Sequence, residues 1–165
     1  MTRSAPILPD VLAPGLRVAF CGTAPGTASA RAGAYYAGPG NRFWLTLHEV
    51  GLTPILLRPA EFARLPEFGI GLTDISKTAS GSDQEVGRRG IDPARLTAAV
   101  AAASPAHLAF NGKNAARAAL GRPVDYGPQP ERIGDATAWV LPSTSGAARG
   151  FWDIEPWREL AAVVR

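Results

Sequence analysis

Residues 16–29 read LRVAFCGTAPGTAS, and this stretch sets the architecture. Leu16 to Gly22 is a short apolar run closed by glycine, and the sequence from there to Gly40 is rich in Gly, Pro and Ser. The pattern is that of a buried strand feeding a long loop. Phe68–Ile75 (FGIGLTDI), His107–Asn111 (HLAFN) and Thr137–Leu141 (TAWVL) read as three further strands. Helical signals fall between them. Asn41 opens a helix in which Phe43, Trp44, Leu47, His48 and Val50 recur at helical spacing until Gly51. Pro59–Leu65 reads as a second helix and Lys77–Arg89 as a polar surface loop. Asp92 and Pro93 form an N-cap with proline at the first helical position, starting an Ala-rich helix that runs to about Ala103. Lys113–Leu120 is a helix stopped by Gly121 and Pro123, and Ile154–Val164 is a closing amphipathic helix. Strands alternating with helices predict an α/β fold, a three-layer α/β/α sandwich around a mainly parallel sheet of four or five strands. Ligand sites in such sheets lie at the carboxyl ends of the strands. Three loops follow such ends, Gly22–Gly40, Thr73–Lys77 and Pro142–Arg149, and they are expected to converge on one crevice.

The composition narrows the function classes. A chain of 165 residues with 46% hydrophobic content is expected to form one domain across 1–165, with no internal repeat or dividing linker. Glycine (18) and proline (15) are spread without a period, which excludes collagen-like and low-complexity classes. The lone Cys21 has no disulfide partner, and one Cys with two His leaves too few soft ligands for a closed zinc site, so neither metal nor cofactor is expected. The opening MTRSAPILPDVLAPGL is broken by Pro6, Pro9, Asp10 and Pro14 and reads as no leader; no apolar run approaches the roughly 20 residues of a membrane span. A cytoplasmic monomer without a membrane partner is expected. Net charge is +3, and arginine supplies all the basic residues except Lys77 and Lys113. Arginine forks grip phosphate in two-pronged fashion, so this balance permits a nucleic-acid partner.

Two loops carry the chemistry. The first runs CGTAPGTAS from Cys21 to Ser29, then AYYAGPGNRFW from Ala34 to Trp44. Gly22 and Gly26 allow close backbone approach and Pro25 stiffens the turn, so successive N–H groups could face an anion or a carbonyl. Neither a G-x-G-x-x-G fingerprint nor a Gly-Lys-Ser/Thr ending is present, which argues against dinucleotide and P-loop nucleotide sites. The second loop is VLPSTSGAAR, Val140 to Arg149. In combination, Gly22, Pro25 and Gly26, then Tyr36, then Asn41 to Trp44, then Asn111-Gly112-Lys113, then Pro142, Ser143, Ser145 and Arg149 resemble, in order, the motifs of the mismatch-specific uracil-DNA glycosylase and thymine-DNA glycosylase family of the uracil-DNA glycosylase superfamily. The resemblance spans Arg17 to Arg158. It implies an α/β/α fold and hydrolysis, without a metal, of the N-glycosidic bond of uracil or another deaminated or mispaired base in DNA. By the same resemblance, N–H groups around Thr23 and Tyr36 would meet base oxygens and the Tyr36 ring would stack on the base, with Ala24, Ser29 and Asn111 beside it.

The chain departs from the family pattern at two places. Where the family carries the Asn that orients the attacking water, this sequence has Ala24, whose methyl group can neither hold water nor stabilise charge. The candidate replacement is Asp74 in GLTDIS, at the end of the second strand, where a carboxylate could activate water or stabilise a cationic sugar. A superfamily branch with a similar Gly-x-Ala-Pro-Gly loop also relies on an Asp elsewhere. In the last loop, Ser143, Thr144, Ser145 and Gly146 are candidates for gripping DNA phosphates. Gly146-Ala147-Ala148 offers no bulky wedge for the gap left by an extruded base, so Arg149 is the expected plug. His48 and His107 read as packed or surface residues, and Phe151, Trp152 and Trp157 as packing of the final helix. A damage-binding module that has lost catalysis along with the Asn, and a small-nucleotide binder built on the glycine loop, stand as alternatives.

Overall fold

The structure, a computed structural model, describes residues 6–164. The first five residues of the stretch read as leaderless, and Arg165, lie outside the described residues. In chain order the elements are β1 (Val18–Gly22), α1 (Thr27–Ala32), α2 (Phe43–Glu49), a 3-10 run (Pro59–Phe68), β2 (Ile70–Asp74), α3 (Asp83–Val86), α4 (Pro93–Ala103), β3 (His107–Asn111), α5 (Lys113–Leu120), β4 (Gly127–Ile133), β5 (Ala136–Leu141), a second 3-10 turn (Gly146–Phe151) and α6 (Glu155–Val164). The strands form one sheet in the order β2-β1-β3-β5-β4. All neighbours are parallel except β4 with β5.

The sheet is covered on both faces, and strand periodicity explains how. Successive side chains point to opposite sides of a strand. Phe20, Leu72, Trp139 and Leu141 therefore join Phe43 and Leu47 of α2 and Trp157 and Leu160 of α6 on one face. Cys21, Leu108, Phe110 and Val140 join Leu96 and Val100 of α4 and Ala115 and Ala116 of α5 on the other. Phe20 stacks on Trp157 with centroids 5.4 Å apart. The Trp157 indole donates to the Pro142 carbonyl at 3.0 Å, tying α6 to the start of the last loop. Among the described residues, no helix is long and apolar enough to cross a membrane.

Four elements differ from the sequence expectation. β4 (GPQPERI) is a strand beyond the four expected, and it carries Pro128 and Pro130, residues that disfavour a central strand. It is an edge strand, where missing N–H donors are tolerated, and its register with β5 shifts between Pro128 and Arg132. The first loop holds α1, six residues long and stopped by Gly33 in the left-handed conformation at φ 65°. Pro59–Phe68 is 3-10 rather than α, with Pro66 inside it. The stretch read as the surface loop Lys77–Arg89 contains α3, capped by Ser82 accepting from the Glu85 N–H, and begins with a lysine that is buried.

The N-terminal segment lies along the outer edge of β2. Val11 and Leu72 exchange backbone hydrogen bonds at 2.8 and 2.9 Å, and the Ile7 N–H reaches the Lys77 carbonyl at 2.7 Å. Gly71 makes this close approach possible, because a Cβ there would stand 2.6 Å from both the Val11 carbonyl oxygen and Leu16 Cδ1. Gly71→Ala is therefore expected to destabilise the protein by about 1–3 kcal/mol. Gly150→Ala, where a Cβ meets nothing within 4 Å, should stay within about 0.5 kcal/mol. Equilibrium denaturation of the two variants would check the contrast.

Candidate active site

The carboxyl ends of β1, β2, β3 and β5 open into a cleft of ≈ 870 Å³. The register β1–β2 places Gly22 directly beside Asp74. Past the strand ends the pairing continues, with Ile75 N–H donating to the Gly22 carbonyl at 3.0 Å and Ser76 N–H to the Thr23 carbonyl at 2.8 Å. The first loop is thus clamped onto the turn that carries Asp74. A Cβ on Gly22 would lie 3.0 Å from Asp74 Oδ1 and 3.3 Å from Tyr36 Oη. Glycine is what lets carboxylate and phenol meet against the backbone.

Asp74 lines the cleft yet is only 2% exposed, and its Oδ2 has no hydrogen-bond partner. Burial lifts its carboxyl from 3.8 to about 7; Lys77 and Arg95 oppose that rise and Asp10 adds to it. A carboxyl that titrates near neutrality in a cleft can hold or release a proton at working pH.

Tyr36 sits in the left-handed region at φ 52°. Its ring packs 4.1 Å from the Phe43 ring, its phenol end is buried, and the rest of the residue borders the cleft. Burial, then the neighbouring Asp74, push the phenol well above its ordinary value, so it stays neutral. Ser29 holds this turn: its hydroxyl accepts from the Ala37 N–H at 3.0 Å. Thr23 and Ala24 form the adjoining wall.

Asn111 and Thr144 make a reciprocal pair. The Asn111 amide donates to Thr144 Oγ1 at 2.9 Å, and its oxygen accepts the Thr144 N–H at 3.0 Å. Thr144 is fully buried, and its carbonyl accepts from Arg42 N–H at 3.0 Å. Both residues therefore lock the last loop to β3 and to the start of α2, and neither has its full hydrogen-bonding capacity left for a ligand. The Ser143 and Ser145 oxygens accept from the Ser145 and Ala147 N–H groups, at 3.2 and 3.3 Å, which turns the chain along the cleft wall. Gly146 touches Gly40: a Cβ on Gly146 would stand 3.2 Å from the Gly40 oxygen, and one on Gly40 would stand 3.4 Å from Gly146 Cα. First and last loops thus meet backbone to backbone.

Every expected site residue except Arg149 lines the cleft. Arg149 is exposed on the turn just outside it. Phe151, read from the sequence as packing for the final helix, is instead 79% exposed and stands on the cleft lip. Trp157 does pack as expected, and Trp152 carries the Arg42 guanidinium over its ring at 4.9 Å. The histidines are tied up elsewhere: His48 Nδ1 is 3.2 Å from the Thr53 carbonyl, and the Trp139 indole donates to His107 Nδ1 at 3.2 Å. Sequence reasoning missed the charged cluster beneath Asp74, made of Asp10, Lys77 and Arg95. A usable signal was the scarcity of lysine, with one of only two standing three residues after Asp74. Among the described residues, no group of three or more His, Cys, Asp or Glu is placed to hold a metal ion.

A solved structure with a similar fold is the solution NMR structure of a "putative Uracil DNA glycosylase from Methanosarcina acetivorans". It matches with a TM-score of 0.64 at 24% identity over 96% of this chain and 94% of that one. At that identity the likeness bears on the fold. The family model of the uracil DNA glycosylase superfamily matches residues 9–162, a span that includes the strand ends and all the cleft-lining residues except Leu8, and the chain belongs to that superfamily.

Proposed function

We propose that the protein is a monofunctional DNA glycosylase that hydrolyses the N-glycosidic bond of uracil, and of related deaminated or mispaired bases, in DNA. The observation that carries this reading is the Asp74 carboxyl: buried at the cleft floor, one oxygen unpartnered, and titrating near 7. It supplies what Ala24 cannot. The target nucleotide leaves the stack and its base enters the cleft against the Tyr36 ring, with N–H groups of Thr23 and Tyr36 meeting its oxygens. The C1′–N bond breaks and its electron pair departs on the base. The Asp74 carboxylate stabilises the cationic sugar, then takes a proton from the water whose oxygen bonds to C1′. Ser143 and Ser145 face the phosphates, while Thr144 and Asn111 hold their loop in place. Uracil and mismatch specificity rest on the loop resemblance. Ala24 favours one rival, a damage-binding module without catalysis.

Incubation with a uracil-containing oligonucleotide followed by alkali separates the two readings, since strand cleavage is expected of the enzyme and none of the binder. Asp74→Ala should lower the single-turnover rate by about 10²-fold or more. A rate within about threefold of wild type would remove Asp74 from the chemistry.

The same carboxyl has a stability signature. Its value is raised in the fold, so folding takes up a proton between 3.8 and about 7, and the native state loses stability as pH rises through that window. Asp74→Asn removes the effect. Its stability relative to wild type is expected to climb from near zero at pH 4 to on the order of 2–4 kcal/mol at pH 8, read by denaturant titration at each pH.

Phe151 adds to the expected role of Arg149. An exposed aromatic on the lip can enter the gap left by an extruded base, as apolar wedges do between base steps. Phe151→Ala should lower excision from duplex DNA at least about tenfold more than excision from single strands, a difference of ~1.4 kcal/mol in the cost of extrusion. Arg149→Ala measured alongside divides the plug between the two side chains.

A further inference from the structure

Beneath Asp74 lies a charged cluster that the proposed reaction does not use. Lys77 is buried, and its ammonium donates to Tyr35 Oη at 3.1 Å and pairs with Asp10 Oδ1 at 3.1 Å, while Asp74 Oδ2 stands 3.8 Å away, beyond hydrogen-bond distance. Arg95, on α4, sends one nitrogen to Asp10 Oδ2 at 2.8 Å and another to Thr73 Oγ1 at 3.2 Å and the Asp74 carbonyl at 2.7 Å. Thr73 donates to Asp10 Oδ1 at 2.7 Å. Tyr35 in turn donates to the Pro9 carbonyl at 2.8 Å. Both cations nearest Asp74 thus pair with a different carboxylate, and neither donates a hydrogen bond to the Asp74 carboxylate. That carboxylate, and the carbonyl that fixes Tyr35, come from one N-terminal segment bridged to β2 through Val11 and Leu72.

Asp10 and Asp74 are opposites in their surroundings. Burial works against the Asp10 charge, but the Thr73 hydroxyl, Lys77 and Arg95 outweigh it and hold the carboxyl below its ordinary value. Asp74 has cations near it but neither as a hydrogen-bonded partner of its carboxylate oxygens. Lys77 and Asp74 Oδ2 are within loose ion-pair distance at 3.8 Å without a hydrogen bond; a lysine allowed to close the remaining gap would hydrogen-bond that oxygen, and a carboxylate so paired is a poor acceptor for a proton from water.

We infer that Asp10 is a positioning residue that holds Lys77 off Asp74 and so keeps the Asp74 carboxylate open to water. The inference rests on the glycosylase reading for its catalytic meaning, while the clamp itself is a statement about the fold. The titratable and charged groups facing Asp74 are Asp10 from the N-terminal segment, Cys21 at the end of β1, Tyr35 and Tyr36 from the first loop, Lys77 from the turn after β2, and Arg95 from α4. Burial keeps the thiol and both phenols protonated, so Asp10, Lys77 and Arg95 carry the charges that matter.

Two substitutions at opposite ends of one ion pair separate the clamp from a merely structural role. Asp10→Asn removes a nearby negative charge and frees Lys77 to approach, so Asp74 should ionise at lower pH. Lys77→Met removes the attracting cation, so Asp74 should ionise at higher pH. The Asp74 carboxyl carbon resonance, titrated by NMR in full-length wild type and both variants, is expected to move its midpoint down by about one unit in the first and up by about one unit in the second. Unchanged midpoints, or shifts of the same sign, would overturn the clamp whether or not the protein excises uracil. The acid limb of single-turnover uracil excision should follow the two midpoints, and the rate above the limb should fall about tenfold in Asp10→Asn, where Lys77 closes on the carboxylate; a rate above the limb equal to or faster than wild type would overturn the clamp. Midpoints that move while the limb stays fixed would overturn the link to catalysis. Absence of excision at every pH would sink the glycosylase reading and leave the clamp to be decided by the NMR titration.

Discussion

The structure turns on a single register. β1 and β2 pair so that Gly22 and Asp74 stand side by side at the carboxyl edge of the sheet. A side chain at Gly22 would press on that carboxylate, its Cβ standing 3.0 Å from Asp74 Oδ1. A one-residue slip would send Asp74 to the opposite face, because side chains alternate along a strand. The buried faces forbid the slip: Phe20 and Leu72 belong to one core, Ala19 and Cys21 to the other. Hydrophobic packing on two sides thus fixes which face of the sheet this carboxyl occupies and which backbone position it stands beside.

Much of this was legible in the sequence because it is local. Four of the five strands, the helix opened by Asp92 and Pro93, and the convergence of three loops follow from apolar runs, glycine stops and a capping pair, which act over a few residues. The acid was legible for the same reason, being the one charged residue in β2 and standing at its carboxyl end. The lysine beneath it was not. Lys77 opens a stretch of polar residues that periodicity assigns to solvent, and its burial depends on Asp10, which also meets Arg95 across 85 positions of sequence. No pattern in a window of ten residues encodes such a contact. β4 was hidden for a different reason, since its prolines are permitted by where the strand sits in the sheet rather than by its own composition.

Exposure was harder to read than burial. Phe151, Trp152 and Trp157 stand within seven residues, and composition alone treats them alike. The structure sorts them, with Trp157 buried in the core, Trp152 partly buried with the Arg42 guanidinium over its ring, and Phe151 in solvent. The difference lies in the 3-10 turn from Gly146 to Phe151, whose start is pressed against Gly40 and whose end is thereby thrown clear of the core. In the last loop, likewise, Thr144 looks like its serine neighbours in sequence and is the one fully buried.

The N-terminal segment that carries Asp10 also answers a problem common to open sheets, whose outermost strands present unpaired backbone groups that can recruit a foreign strand. At one margin the antiparallel bridge of Val11 to Leu72 occupies β2. At the other, Pro128 and Pro130 leave β4 short of donors. Each margin is blunted by a different device, and neither device needs a partner chain. The stretch that pairs Asp10 with Lys77 and Arg95 is therefore also a guard against strand-swapped aggregates, so its loss would endanger solubility as well as that buried cluster.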